Sequence, residues 1–260
     1  MGVKALTGLI KNELIKFTGR KKALWFAALL VVIYLFPVVM SVFVRMRTFD
    51  GQIYPYTMSG FITAWVVPLF LIVVTAEMVT DEYLSGGISV SLVHPVSRVQ
   101  LVTAKITAIL IVTVLFLIFA MLLGYAMGTL FFGWGTEFMI RGLEYSVWQG
   151  ISLTVISFLA PAVPLLSFSM YVFFIALLLS GSAAVVGLAA GTFFAFSLAE
   201  LVFRELRPYL ITAYFSSLPA ALISSEKTAG LQFAILFIVV HGAVFYFLSL
   251  TNFTRKDILN

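Results

Sequence analysis

Cysteine is absent from all 260 residues, and charged side chains are scarce. The first absence excludes disulfides, thiolate metal sites and a cysteine nucleophile, and it leaves the redox compartment undetermined. The second excludes a soluble globular domain, because 10% of the residues are charged where soluble domains carry about 25%. There is no G-x-x-x-x-G-K-[ST] loop and no strand-rich α/β segment to hold one, so any ATP chemistry has to come from another chain. The first long apolar run has a full membrane length and lacks an A-x-A site, so a cleavable signal peptide is not expected.

What fills the chain is apolar: 62% of residues, with a mean hydropathy of +1.12. Six long runs can be marked out, at about Leu24 to Val44, Met58 to Val79, Thr103 to Phe132, Phe158 to Ser180, Ala183 to Phe203 and Gln232 to Leu250. Each is about the 20 residues that cross a bilayer, and the third is long enough to tilt or project. The fold class expected is an all-α integral membrane protein with six transmembrane helices. The net charge of +5 argues through its distribution for topology rather than for binding nucleic acid. Lys4, Lys11, Lys16, Arg20, Lys21 and Lys22 all precede the first run, which by the positive-inside rule places both termini of a six-span chain in the cytoplasm of a cell with its plasma or inner membrane as host.

Residues 1–22 form a unit of their own, an N-terminal amphipathic interfacial helix ahead of the transmembrane domain of 23–260. Val3, Leu6, Ile10, Leu14 and Phe17 gather on one face, as in helices that lie in the membrane interface. Glu13 falls inside that apolar arc and Ile15 on the polar side, which is an imperfect fit. Residues 134–157 alternate Glu137, Arg141, Glu144 and Gln149 with Ile140, Leu143, Val147 and Ile151, a spacing that suggests a second interfacial helix. Residues 204–231, with Arg204, Glu205, Arg207 and Lys227, are expected as the largest extracellular segment.

The chain is organised around Thr80 to Lys105, a stretch too polar for lipid between two apolar runs. Asp81, Glu82, Gly86, Gly87, His94, Pro95 and Arg98 all lie in it. Its interior reads as a short helix over about 82–94, with Ile88 and Leu92 on one side. Ser97 and Gln100 then have capping-box spacing, so a new helix starts there and runs into the membrane.

Three other positions stand out. His241 lies near the centre of the sixth run, where an ionisable residue is a functional candidate, although a hydrogen bond to a neighbouring helix explains it as economically. Glu77 and Glu200 lie near span ends, where a carboxylate can reach water; Glu77 suits a network with Arg98 or the basic N-terminus. Pro68 interrupts the second run. With His241 and Glu77 it marks a possible substrate path. Gly124-x-x-x-Gly128 and Gly187-x-x-x-Gly191 both have the spacing that lets helices approach closely, which is expected to serve packing within one subunit ahead of a dimer interface.

Taken together, the chain resembles the membrane subunits of ABC-2-type ABC transporters. The likeness is sharpest in D-E-Y-L-S-G-G-I-S-V-S-L-V-H-P-V-S-R-V-Q-L-V-T-A-K, Asp81 to Lys105, and extends to K-N-E-L-I-K-F-T-G-R-K-K (Lys11 to Lys22) and F-T-R-K-D (Phe253 to Asp257). The resemblance implies a non-catalytic permease that pairs with a second permease copy or a paralogue. It would bind separate ATPase subunits, which carry the ATP and Mg, through a coupling helix at 82–94. Asp81, Glu82, Tyr83, Ile88, Leu92, His94 and Arg98 are the coupling residues so implied. The cargo implied is a peptide, drug or lipid of amphipathic or lipophilic character. The rival readings are an ion-coupled secondary transporter, for which no internal repeat is found, and an intramembrane enzyme using His241. The F-x-x-x-H spacing of Phe237 and His241 also occurs in intramembrane glutamate proteases, but their E-E-x-x-x-R is missing here.

Overall fold

The computed structural model describes residues 2–18, 21–44, 49–84, 97–136, 138–140, 142–224 and 229–255. Helix α1 (Gly2–Thr18) is followed by α2 (Lys21–Val44). Helices α3 (Ile53–Phe61) and α4 (Val67–Leu84) form one continuous stretch through a π-helical turn at Ile62–Val66. Next come α5 (Arg98–Phe132), strands β1 (Phe138–Ile140) and β2 (Leu143–Tyr145), α6 (Val147–Leu159), α7 (Ala162–Leu178) and α8 (Ser182–Val202). Two 3-10 turns at Arg204–Tyr209 and Ile211–Ala213 lead to α9 (Tyr214–Ile223), and α10 (Ala229–Arg255) ends the described chain.

Six helical stretches are long and apolar enough to cross a membrane: Leu24–Phe43, Ile53–Thr80, Arg98–Phe132, Val147–Leu178, Ser182–Val202 and Gly230–Phe253. The chain is a multi-pass helical membrane protein. Burial ranks the spans. The α3–α4 span is 78% buried and forms the centre with α6–α7, whereas α2 and α8 are only 17% buried. Helix α2 presents Trp25, Val32, Phe36 and Phe43 outward, which in a bilayer costs nothing because lipid is as apolar as a core. Besides the buried Leu30 and Val38 and the Phe26–Phe70 contact, two hydrogen bonds hold α2: Tyr54 donates its hydroxyl to Tyr34 O, and Tyr34 donates to Ala120 O at 2.8 Å. These two buried phenols tie α2 to α3 and α5. Deeper in, Phe70 of α4 stacks on Phe116 of α5 with ring centroids 4.0 Å apart.

The two ends of the bundle differ. At one end lie α1, the end of α4, the start of α5 and the end of α10; we call it the terminal end. Ser97 starts α5 as the spacing predicts: its hydroxyl accepts from Gln100 N–H, and the Gln100 side chain accepts from Ser97 N–H. At the other, the hairpin end, Asp50 Oδ1 accepts from the N–H groups of Gln52 and Ile53 at the start of α3. Gly51 N–H donates to Gly133 O and Gln52 Nε2 to Gly135 O.

One expectation needs correction here. The alternation at 134–157 is not one interfacial helix. It divides into an antiparallel hairpin, with Met139 paired to Glu144, and helix α6, which starts at a second capping box formed by Ser146 and Gln149. Phe138 from the hairpin packs onto Gly150 in the first turn of α6. The fourth span therefore begins at Val147, eleven residues ahead of the expected Phe158. After α8 the chain also folds back onto the bundle. Ile211, Thr212, Tyr214, Phe215 and Leu218 are buried, and α9 packs against α6 and the π-helical turn. An apolar face hidden among charged neighbours is too short to span a membrane, but it is long enough to fold back between helices that do.

Candidate functional site

The sequence points to the terminal end, and the structure gives that end a buried ion pair. Glu13, out of place in the apolar arc of α1, turns inward, where its Oε2 accepts from Lys105 Nζ at 3.1 Å. The same ammonium donates to Met78 O of α4 at 2.9 Å, and Lys16 Nζ reaches Glu13 Oε1 at 3.4 Å. Glu13 and Lys105 are 7% and 4% exposed, so both charges depend on protein groups, each other among them, rather than on water. One lysine thus joins α1, α4 and α5. Leu14 and Phe17 continue the seam inward, where Phe17 packs edge-on to Phe70.

The other terminal-end residues fall around this lock. Glu77 is buried beside Met78 in α4. Arg98 turns to the C-terminal helix, donating from Nη1 to Phe253 O at 2.8 Å, where the last carbonyls of a helix favour a cation. Asp81, Glu82 and Tyr83 belong to the last turn of α4. Ile88, Leu92 and His94 lie outside the described residues. Their flanks, Leu84 and Ser97, are brought to one end of the bundle by helices that Lys105 holds together.

His241 sits on α10 facing α7. Ser167 donates its hydroxyl to Ile238 O at 3.0 Å, which leaves Oγ to accept from His241 Nδ1–H at 2.8 Å. Phe237 and Phe245 flank the ring, and Gly242 lets α7 close on this point, with Ser167 and Met170 against it. This is the geometry of a helix-to-helix hydrogen bond. Ser167→Ala or His241→Leu is expected to cost about 0.6–1.7 kcal/mol of stability, and the double variant little more than either single one; thermal unfolding in detergent measures it. A double variant as costly as the two single losses added would show that the residues act apart.

Pro68 is buried at the head of α4, and its effect lies just before it. A proline cannot donate to the carbonyl four residues back, and its ring crowds that carbonyl. The helix widens into the π turn, where Val67 N–H closes on Ile62 O five residues back. Turns of this kind are frequent at functional sites. Here it sets Ala64 and Trp65 against a cleft of about 390 Å³ whose far wall is the end of α8 and the following 3-10 turn, with Glu200, Arg204 and Arg207. A smaller cleft of about 240 Å³, lined by Thr57, Ser59, Thr63 and Ser157, shares Ser216 with it. Sequence alone shows Glu200 as a carboxylate at a span end; it does not show that Thr212 and the π turn lie opposite. Among the described residues no group of three or more His, Asp or Glu side chains is placed to hold a metal ion.

No curated protein matches the chain. Residues 46–259 match the family described as "Protein of unknown function (DUF2705)", and the chain belongs to that family.

Proposed function

We propose that this DUF2705 protein is the membrane-spanning subunit of an ATP-driven exporter of the ABC-2 type. In this reading it moves an amphipathic or lipophilic cargo, and a separate ATPase supplies the energy. The chain itself is non-catalytic, sits in the plasma or inner membrane with both termini cytoplasmic, and works beside a second permease copy or a paralogue. The observation that supports coupling best is the Lys105 lock. A push on residues 85–96 reaches α4 and α5 at once, and through Glu13 it also reaches α1. A conformational change is driven only where two states make different contacts, and a segment fixed at both ends to interlocked helices can transmit one.

The coupling helix at 82–94 docks in a groove of the ATPase through Ile88 and Leu92, while Glu82 and Arg98 orient it by charge at the rim. Burying one such apolar side chain contributes about 1.5–3 kcal/mol, so Ile88→Ser with Leu92→Ser is expected to weaken the contact a hundredfold or more, by roughly 3–6 kcal/mol taken together. Rim charges matter less, by about 0–1 kcal/mol. The test is co-purification with the ATPase and the rate of ATP hydrolysis, wild type beside the double variant. Retained ATPase and an unchanged rate would overturn the coupling role, and with it the exporter reading.

A further inference from the structure

The cleft between the π turn and the end of α8 has the parts of a ligand site. Its volume of about 390 Å³ falls in the range of small-molecule pockets, about 300–1,000 Å³. Arg204 and Arg207 line it, and neither makes an ion pair or a hydrogen bond among the described residues, although Arg207 lies close enough to Glu200 to favour its charge. Thr212 is 4% exposed, and its hydroxyl faces the Glu200 carboxylate and helps hold it in place at the cleft. Trp65 forms a side wall, 5.8 Å from Phe193 and 40% exposed.

The charges narrow the ligand. Two guanidiniums suit a phosphate, which they bind through fixed, paired donors. Glu200 repels a simple anion in the same space and attracts an ammonium with hydrogens to donate. The surroundings narrow it further, since Leu198 and Leu201 line the cleft and continue outward as the exposed apolar face of α8. A soluble ion gains nothing from that face, whereas an acyl chain can lie along it. We infer that the cleft binds a phosphoethanolamine headgroup, with the phosphate on Arg204 and Arg207, the ammonium on Glu200, and the acyl chains on α8. The site goes beyond the exporter reading and does not depend on it, because binding needs neither the ATPase nor residues 82–94.

The experiment uses the full chain in detergent, titrated with dihexanoyl phosphatidylethanolamine, dihexanoyl phosphatidylglycerol and free phosphoethanolamine. The reading is the part of tryptophan emission lost in Trp65→Phe. Phosphatidylethanolamine is expected to bind best, and Arg204→Gln with Arg207→Gln to weaken it at least tenfold, two charge-assisted contacts being removed. Glu200→Gln is expected to abolish the preference over phosphatidylglycerol while leaving the phosphate contact. That variant keeps the test decisive if the double arginine variant does not fold. Equal binding by wild type and the arginine variant, or a preference unchanged in Glu200→Gln, would overturn the site. Free phosphoethanolamine binding as tightly as the lipid would overturn the lipid source and mark a soluble ligand.

Discussion

Glu13→Leu is expected to be among the most damaging single changes in this chain, at a cost of about 3–5 kcal/mol. The change itself adds apolar surface to an apolar seam. The loss comes from Lys105, whose ammonium stays buried and keeps Met78 O but gives up the Glu13 carboxylate. Lys105→Met is expected to cost somewhat less, because Lys16 still reaches Glu13 at 3.4 Å from the open side of α1. The double variant, Glu13→Leu with Lys105→Met, should be more stable than either single variant, since a matched apolar pair replaces a buried ion pair with little net cost. Thermal unfolding followed by size-exclusion in detergent gives all four corners of the cycle. Losses that simply add would mean that the two charges do not act as a unit, and the lock between α1, α4 and α5 would not exist.

The same pair shows where reading the sequence stops. Glu13 is visible as a misfit in the arc of α1, and Lys105 as the last residue of the polar stretch, yet they are 92 residues apart. A misfit announces that some partner exists; nothing local says which. The spans are legible for the opposite reason. Hydropathy over about 20 residues is a local property that the bilayer reads directly. The Ser97 cap is equally local, and so is the Ser146 cap, whose S-x-x-Q spacing is the same. At 137–151, however, charges spaced like a helix cover a hairpin turn at Gly142, where φ is +78°, and the cap is the only signal that marks the true start of α6. The buried face of α9 escapes notice because Arg204, Glu205 and Arg207 make the whole segment look solvated. Its place depends on a groove that other helices build.

The two glycine pairs, alike in spacing, are expected to differ sharply on substitution. A Cβ on Gly124 would stand 2.7 Å from the Tyr34 hydroxyl and 2.9 Å from Pro55 Cβ, and one on Gly128 would stand 2.9 Å from Tyr54 Cβ. These glycines let α5 close on the two phenols that hold α2 to the bundle. Overpacking typically costs about 1–3 kcal/mol per site. Gly124→Leu with Gly128→Leu should reach the top of that range at each, since pushing Tyr34 away also breaks its bond to Ala120 O and leaves a buried hydroxyl unpaired. Gly187 and Gly191 have the same Gly-x-x-x-Gly spacing on α8, but nothing lies within 4 Å of a Cβ at either. Gly187→Leu with Gly191→Leu is therefore expected to leave the unfolding temperature of the dilute protein unchanged or slightly raised, since leucine is the better helix former by about 1 kcal/mol at each position. Unfolding of both double variants at low protein concentration decides the matter. Equal losses would mean that α8 packs its glycines inside the subunit after all. A loss confined to α5 means that the spacing sets how close two helices can come, and the rest of the chain sets whether they do.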